Sequence, residues 1–115
     1  MGRWVVPGSN GIHIVKLVDA NGVDLPGGAA SLNLNGANVG EYVYAQLAAP
    51  IKLASNTTYY LMTQEFAGGD KWYDYGTLGA SVGGIINCAA YEWNGIYYRT
   101  NVNQTGYGTP NFLFQ

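Results

Sequence analysis

Glycine recurs too often in this chain for a helix to run. There are 17 glycines in 115 residues, and one interrupts every window in which an i, i+3, i+4, i+7 apolar pattern begins. Each helix-interior glycine costs about 1 kcal/mol relative to alanine. What remains between the glycines is a series of short runs rich in Val, Ile, Tyr and Thr, bounded by Gly, Asn, Pro and Asp, which is the signature of strands and turns. Strands are predicted over 3–6, 12–19, 30–34, 41–47, 58–65, 84–93, 96–99 and 111–114. Asn21-Gly22 in DANGVD and Asn94-Gly95 in EWNGIYY fit two-residue hairpin turns, in which both central positions take positive φ. Pro7-Gly8, Pro26-Gly27 and the stretch LAAPIKLASNTT mark further connections. Many short strands at regular spacing predict an all-β fold, an antiparallel β-sandwich or barrel, and 115 residues supply one hydrophobic core and one domain, 1–115.

Period-2 alternation assigns faces. In EYVYAQL, Val43, Ala45 and Leu47 share one face and suit a core, while Tyr42, Tyr44 and Gln46 share the other, where the two tyrosines form an outward aromatic pair. In TTYYLMTQE, Tyr59, Leu61 and Thr63 oppose Tyr60, Met62 and Gln64. Both faces are partly apolar, so that strand is expected to be central.

Charge excludes several function classes. Charged residues make up 10% of the chain and the net charge is −2, against about a quarter charged in ordinary domains. No Lys/Arg cluster exists to neutralise phosphates, so a nucleic-acid partner is not expected. An anionic membrane surface needs the same basic patch, and no apolar run is long enough to span a bilayer. Solubility must rest on Asn, Gln, Thr, Ser and Tyr, a composition common among extracellular β-proteins.

Few residues offer catalytic chemistry. Cys88 is the only cysteine, cannot form an internal disulfide and is expected to be buried and inert. His13, the only histidine, sits in GIHIVKLVD on a predicted strand, where a structural role outweighs a catalytic one. A hydrolase needs two carboxylates facing across a cleft, one of them with a raised pKa. Asp19, Asp24, Glu41, Glu65, Asp70, Asp74 and Glu92 are available, and Asp70 and Asp74 lie four apart in one loop, yet no nucleophile motif accompanies them. In DANGVD, Asp19, Asn21 and Asp24 place oxygen ligands at close spacing. An EF-hand loop wants glycine at its sixth position and Gly22 is the fourth, so a hairpin is preferred; no cofactor is implied and a structural calcium is not indicated. GASVGG, 79–84, lacks the Lys-Ser/Thr and helix of a phosphate loop and reads as a strand bend. Asn56 and Asn103 head Asn-x-Thr sequons, which matter only in a glycosylating host.

The chemistry-bearing residues concentrate in GGDKWYDYG, 68–76. Pyranose rings have apolar C–H faces and a rim of hydroxyls, so a sugar site needs flat aromatic platforms beside carboxylates, amides or cations. Trp72, Tyr73 and Tyr75 are candidate platforms. Asp70, Lys71 and Asp74 are candidate readers of hydroxyls. The glycines let the backbone turn and approach a ligand. The plainer alternative is an Asp/Gly loop whose rings cap one end of a sandwich.

Over nearly its whole length the chain also resembles a known kind of module. GRWVVPGSNGIHIVKLVDANG, VYAQLAAPIKLASNTTYYLMTQEFAGGDKWYDY and the closing YGTPNFLFQ look like a β-sandwich accessory module of bacterial extracellular proteins. The segment APIKLASNTTYYLMTQE is its most specific part. Such modules are similar to carbohydrate-binding modules and to small uncharacterised domains appended to sialidase-like and other glycoside hydrolases. GGDKWYDY matches at Gly68, Gly69, Asp70, Trp72, Tyr73, Asp74 and Tyr75. The resemblance implies a jelly-roll-like sandwich in a secreted or surface protein. It departs in that family members carry more strand sequence ahead of GRWVV.

The sequence therefore points to a non-catalytic, extracellular carbohydrate-binding module with a polysaccharide or oligosaccharide as partner. The main alternative is a protein–protein interaction or assembly module; a small hydrolase is a distant third. If strand sequence ahead of Arg3 is missing, the strand over 3–6 or its neighbour is left as an unpaired edge, and a homo-oligomer through that edge is expected.

Overall fold

The computed structural model describes residues 1–66, 68–70, 75–77, 89–93, 95–100, 105–107 and 110–113. The described residues are all-β and contain no helix, so none long and apolar enough to cross a membrane. Ten strands follow in order: β1 Gly2–Trp4, β2 Ile12–Asp19, β3 Asp24–Asn33, β4 Tyr42–Tyr44, β5 Tyr59–Glu65, β6 Tyr75–Thr77, β7 Ala89–Trp93, β8 Ile96–Thr100, β9 Thr105–Tyr107 and β10 Pro110–Asn111. They form a three-stranded sheet β10-β1-β4, a five-stranded sheet β3-β2-β5-β7-β8 and the pair β6-β9.

The first two sheets face each other in a sandwich-like arrangement. Met1 and Val5, on either side of β1, pack with Val15 and Leu17 of β2, Ala30 and Leu32 of β3, and Leu34 just beyond β3. Alternation sets this core. His13, Val15 and Leu17 of β2 point inward, in register with Leu32, Ala30 and the β5 residues Thr63 and Leu61. Val43, Ala45 and Leu47 pack against the cluster as their spacing predicts, and Tyr44, in the opposite phase, is exposed. β5 is central, flanked by β2 and β7.

Several local expectations are corrected. The sheets are not wholly antiparallel: β5 and β7 run parallel, Gln64 opposite Glu92 and Glu65 opposite Trp93, which the long connection between them permits. β1 is not an edge. It pairs with β10 through Gly2 and Arg3 and with β4 through Gly2, Arg3 and Trp4, so later chain fills the side expected to be open. β3 begins at Asp24, earlier than Ala30, and carries Pro26 within it. It is an edge strand with a register shift opposite Lys16 to Val18, and both features tolerate proline. β4 is confined to Tyr42–Tyr44, although Ala45 N–H still donates to the Met1 carbonyl at 2.8 Å.

The β2–β3 turn also differs. Only Gly22 takes positive φ, 83°. Gly22 N–H bonds the Asp19 carbonyl at 3.1 Å and Asp19 N–H bonds the Val23 carbonyl at 2.9 Å. This is a three-residue loop with the left-handed residue last, a common hairpin solution. Trp93 faces Ile96 across the β7–β8 hairpin and Gly95 has φ 77°, while Asn94 lies outside the described residues. Cys88, Asn103, Phe114, the 79–84 bend and residues 84–88 of the strand predicted over 84–93 lie outside them too. β6 and β9 were not anticipated; each is three residues long, too short for a period-2 pattern to register.

Candidate functional site

One end of the sandwich interior is ionic. Arg3, the inward residue of β1 between Gly2 and Trp4, is 1% exposed and crosses to Glu65 at the end of β5, 2% exposed. Arg3 Nε donates to Glu65 Oε1 at 3.1 Å. Nη2 also lies 3.1 Å from that oxygen, but its hydrogens are not aimed at an acceptor; the approach is electrostatic and not a second hydrogen bond. Nη1 donates to Ser9 Oγ at 3.4 Å. A turn over 6–9 delivers that hydroxyl: Ser9 N–H bonds the Val6 carbonyl, and Ser9 Oγ accepts from Val6 N–H.

Glu65 divides its oxygens. Oε1 serves Arg3, and Oε2 lies 3.4 Å from His13 Nδ1. The opposite nitrogen of the ring, Nε2, is 2.7 Å from the Asn10 carbonyl and 3.2 Å from Asp70 Oδ2. Asp70 arrives there because the chain reverses directly after β5. Gly69 N–H bonds the Phe66 carbonyl at 3.1 Å and Gly68 takes φ 76°, the conformation that favours glycine at the third position of such a turn. Asp70 Oδ2 also accepts from Asn10 N–H.

This geometry assigns the protonation of His13. A carbonyl only accepts, so Nε2 must carry a proton toward Asn10. A bare Nδ1 would then set its lone pair against the Glu65 carboxylate. The geometry therefore favours the imidazolium, with Nδ1 paired to the Glu65 carboxylate. The bond to Glu65 raises its pKa above the ordinary value near 6.5; burial and the Arg3 charge oppose the shift, and the Asn10 carbonyl adds to it. Two cations, Arg3 and His13, then balance two anions, Glu65 and Asp70, as a buried charge group requires.

His13, Glu65 and Asp70 bring one ligand atom each within 4.8 Å of one another, a donor set a divalent ion can accept by residue type. For one ion to take all three, existing contacts would have to break: the Asn10 carbonyl lies at Nε2, and Arg3 Nε donates to Glu65 Oε1.

The second feature is an aromatic row on the outer face of the three-stranded sheet. Gly2 pairs with Tyr44 and Trp4 with Tyr42, so all four share that face. The Trp4 ring meets Tyr42 edge-on, centroids 5.1 Å apart at 65°, and Tyr42 leans toward Tyr44 at 5.7 Å and 32°. The Tyr44 ring occupies the space above Gly2: a methyl added there would fall 2.5 Å from Cε1 and 2.8 Å from Cδ1. Asn111 Nδ2 of β10 donates to the Tyr44 hydroxyl at 3.1 Å. The ring is thus backed by bare backbone and held at its rim, and the residue is 44% exposed.

Of the residues read from sequence over 68–76, Asp70 is in the ionic cluster, its side chain 7% exposed and turned to His13 and Asn10. Tyr75 opens β6, opposite Tyr107 of β9. Lys71, Trp72, Tyr73 and Asp74 lie outside the described residues. Sequence reasoning left Arg3 and Glu65 unassigned. Their signal was phase: Arg3, His13 and Glu65 are ionisable residues at inward positions of three strands that otherwise turn small or apolar residues to the core. The DANGVD carboxylates serve the hairpin. Asp19 Oδ1 accepts from Asn21 and Val23 N–H at 2.8 and 2.9 Å, and Asp24 pairs with Lys16 Nζ at 2.9 Å.

Comparisons with protein-family models, with curated proteins and with solved structures found no match.

Proposed function

We propose that the chain is a non-catalytic carbohydrate-binding module of a secreted or surface protein, on a jelly-roll-like sandwich, with the Trp4–Tyr42–Tyr44 face as its platform. The observation that carries this reading is the Tyr44 ring held over Gly2 with its hydroxyl bonded to Asn111. A stacking platform needs a ring whose orientation is fixed before ligand arrives, so that little rotamer entropy is lost on binding. The rim offers a phenol and an amide, neutral donors and acceptors suited to sugar hydroxyls. Lys71, Trp72, Tyr73, Asp74 and Tyr75 belong to the same proposal as a second contact.

Covering one ring face with a pyranose removes about 80 Å² of apolar surface, worth roughly 2 kcal/mol. With two or three hydroxyl bonds this gives affinity in the high-micromolar to millimolar range, about 4–5 kcal/mol. Titration against a panel of neutral oligosaccharides, with a pull-down on insoluble polysaccharide, tests it. Tyr44→Ala should weaken binding by about tenfold or more while stability changes by less than about 1 kcal/mol. Trp72→Ala, read the same way, separates platform from loop. No binding across the panel, or binding untouched by both variants, overturns the reading.

A second reading, an interaction or assembly module, draws on the other sheet. Ile12 and Ile14 of β2 are exposed on its outer face, and Phe66, just past β5, is 56% exposed. Light scattering at high micromolar concentration tests it: self-association abolished by Ile12→Ser favours assembly, and a monomer counts against a homo-oligomer.

A further inference from the structure

We infer that His13 is a proton-operated latch that fastens the segment 68–70 to the end of the sandwich. The observations are geometric. Asp70 Oδ2 is clasped between His13 Nε2 and Asn10 N–H. The segment that carries it leaves β5 through a turn closed by the bond from Gly69 N–H to the Phe66 carbonyl. On its other edge the ring is set by Glu65, which Arg3 of the facing sheet holds in place. One imidazolium therefore joins three parts of the chain: β2, the end of β5, and the segment beyond the turn.

The groups that face the ring are Glu65 from β5, Arg3 from β1, Asp70 from the segment after β5 and the Asn10 carbonyl from the segment before β2. Loss of the proton acts on both edges. Nε2 keeps its hydrogen toward Asn10, because the carbonyl cannot donate. Nδ1 becomes a lone pair facing the Glu65 carboxylate, and the ring turns from that contact. Asp70 loses its cationic partner and keeps only neutral donors, the Asn10 amide and the Nε2 hydrogen that it shares with the Asn10 carbonyl, a costlier state for a buried carboxylate. The low-cost escape is outward, toward water, by opening the turn at Gly68. The latch is closed in acid and opens as the solution becomes alkaline, with its midpoint above 6.5, since the pKa of His13 is raised from that value.

A single histidine makes this readable. Ring carbon resonances of His13 give its midpoint without overlap, and backbone amide shifts of Asn10, Gly69 and Asp70 report the segment; neither needs a ligand. The expected result is that these amides titrate with the His13 midpoint. Protection of the Asn10 amide from exchange should fall about tenfold or more between roughly pH 5.5 and 8.5, after correction for intrinsic exchange. Asp70→Asn, which keeps the shape of the clasp and removes its charge, should lower the His13 midpoint and flatten the Asn10 response. The latch is overturned if His13 titrates while Asn10 and Asp70 do not respond, or if their response survives unchanged in Asp70→Asn.

Discussion

Arg3 and Glu65 join the two sheets inside the sandwich, Nε to Oε1 at 3.1 Å with both side chains at most 2% exposed. Burying two charges costs several kcal/mol per ion before their attraction is counted, so such a pair contributes little against an apolar alternative, yet breaking it strands a charge. Glu65→Gln is expected to lose about 3–5 kcal/mol in urea unfolding, because the Arg3 guanidinium keeps its burial and loses its counter-charge. The double variant Arg3→Met with Glu65→Leu should recover most of that loss. A double variant as unstable as the sum of its parts would show that the two residues are not coupled, and one no more stable than Glu65→Gln would show that the pair itself stabilises the fold.

Gly2 and Tyr44 form a second pair that a small change should uncouple. Gly2→Ala drives a methyl into the Tyr44 ring and should cost about 1–3 kcal/mol, as overpacking does. The ring can swing clear only by giving up its bond from Asn111. In the Tyr44→Ala background the same substitution should cost far less, an interaction energy of roughly 1 kcal/mol or more in a double-mutant cycle. Additive effects would mean that the ring does not rest on Gly2.

Global stability should depend on pH through His13. Its folded pKa stands above the unfolded value near 6.5, so the protonated ring contributes stability fully present below about 6.5 and lost as pH rises through the folded value. Midpoint denaturant concentration is expected to fall across the neutral to mildly alkaline range, and His13→Gln should remove that slope. A wild-type profile flat from pH 6 to 9, taken as roughly the range a raised histidine titrates over, would contradict an imidazolium at this site.

The β2–β3 turn offers a local test. Asp19→Ala deletes the acceptor of two backbone N–H groups and should cost about 1–2 kcal/mol at the usual worth of such bonds. Asn21→Ala should cost under about 0.5 kcal/mol, because Asn21 does not take positive φ here and contributes no special backbone geometry. If Asn21→Ala proves the costlier of the two, the two-residue turn with positive φ at both centres is the better description.

Strand positions and their faces were legible in the chain itself. The strand over 12–19 runs as its pattern predicts, and Val43, Ala45 and Leu47 turn inward as their spacing requires. Alternation is local: neighbouring side chains on an extended backbone must point oppositely, whatever the rest of the chain does. Asp70 was singled out as well, though as a reader of sugar hydroxyls and not as the partner of His13.

Only the tertiary structure decided what these residues meet. Arg3, His13 and Glu65 lie far apart in sequence, and nothing local says that β1 sits across the sandwich from β2 and β5 or that a turn at Gly68 brings Asp70 to the far edge of the same imidazole. Pairing partners depend on which strands pack together, as the parallel β5–β7 contact and the filling of both sides of β1 show. The charge of His13 follows from that assembly, because its proton is held by a carbonyl on one edge and a carboxylate on the other, groups that folding alone brings together.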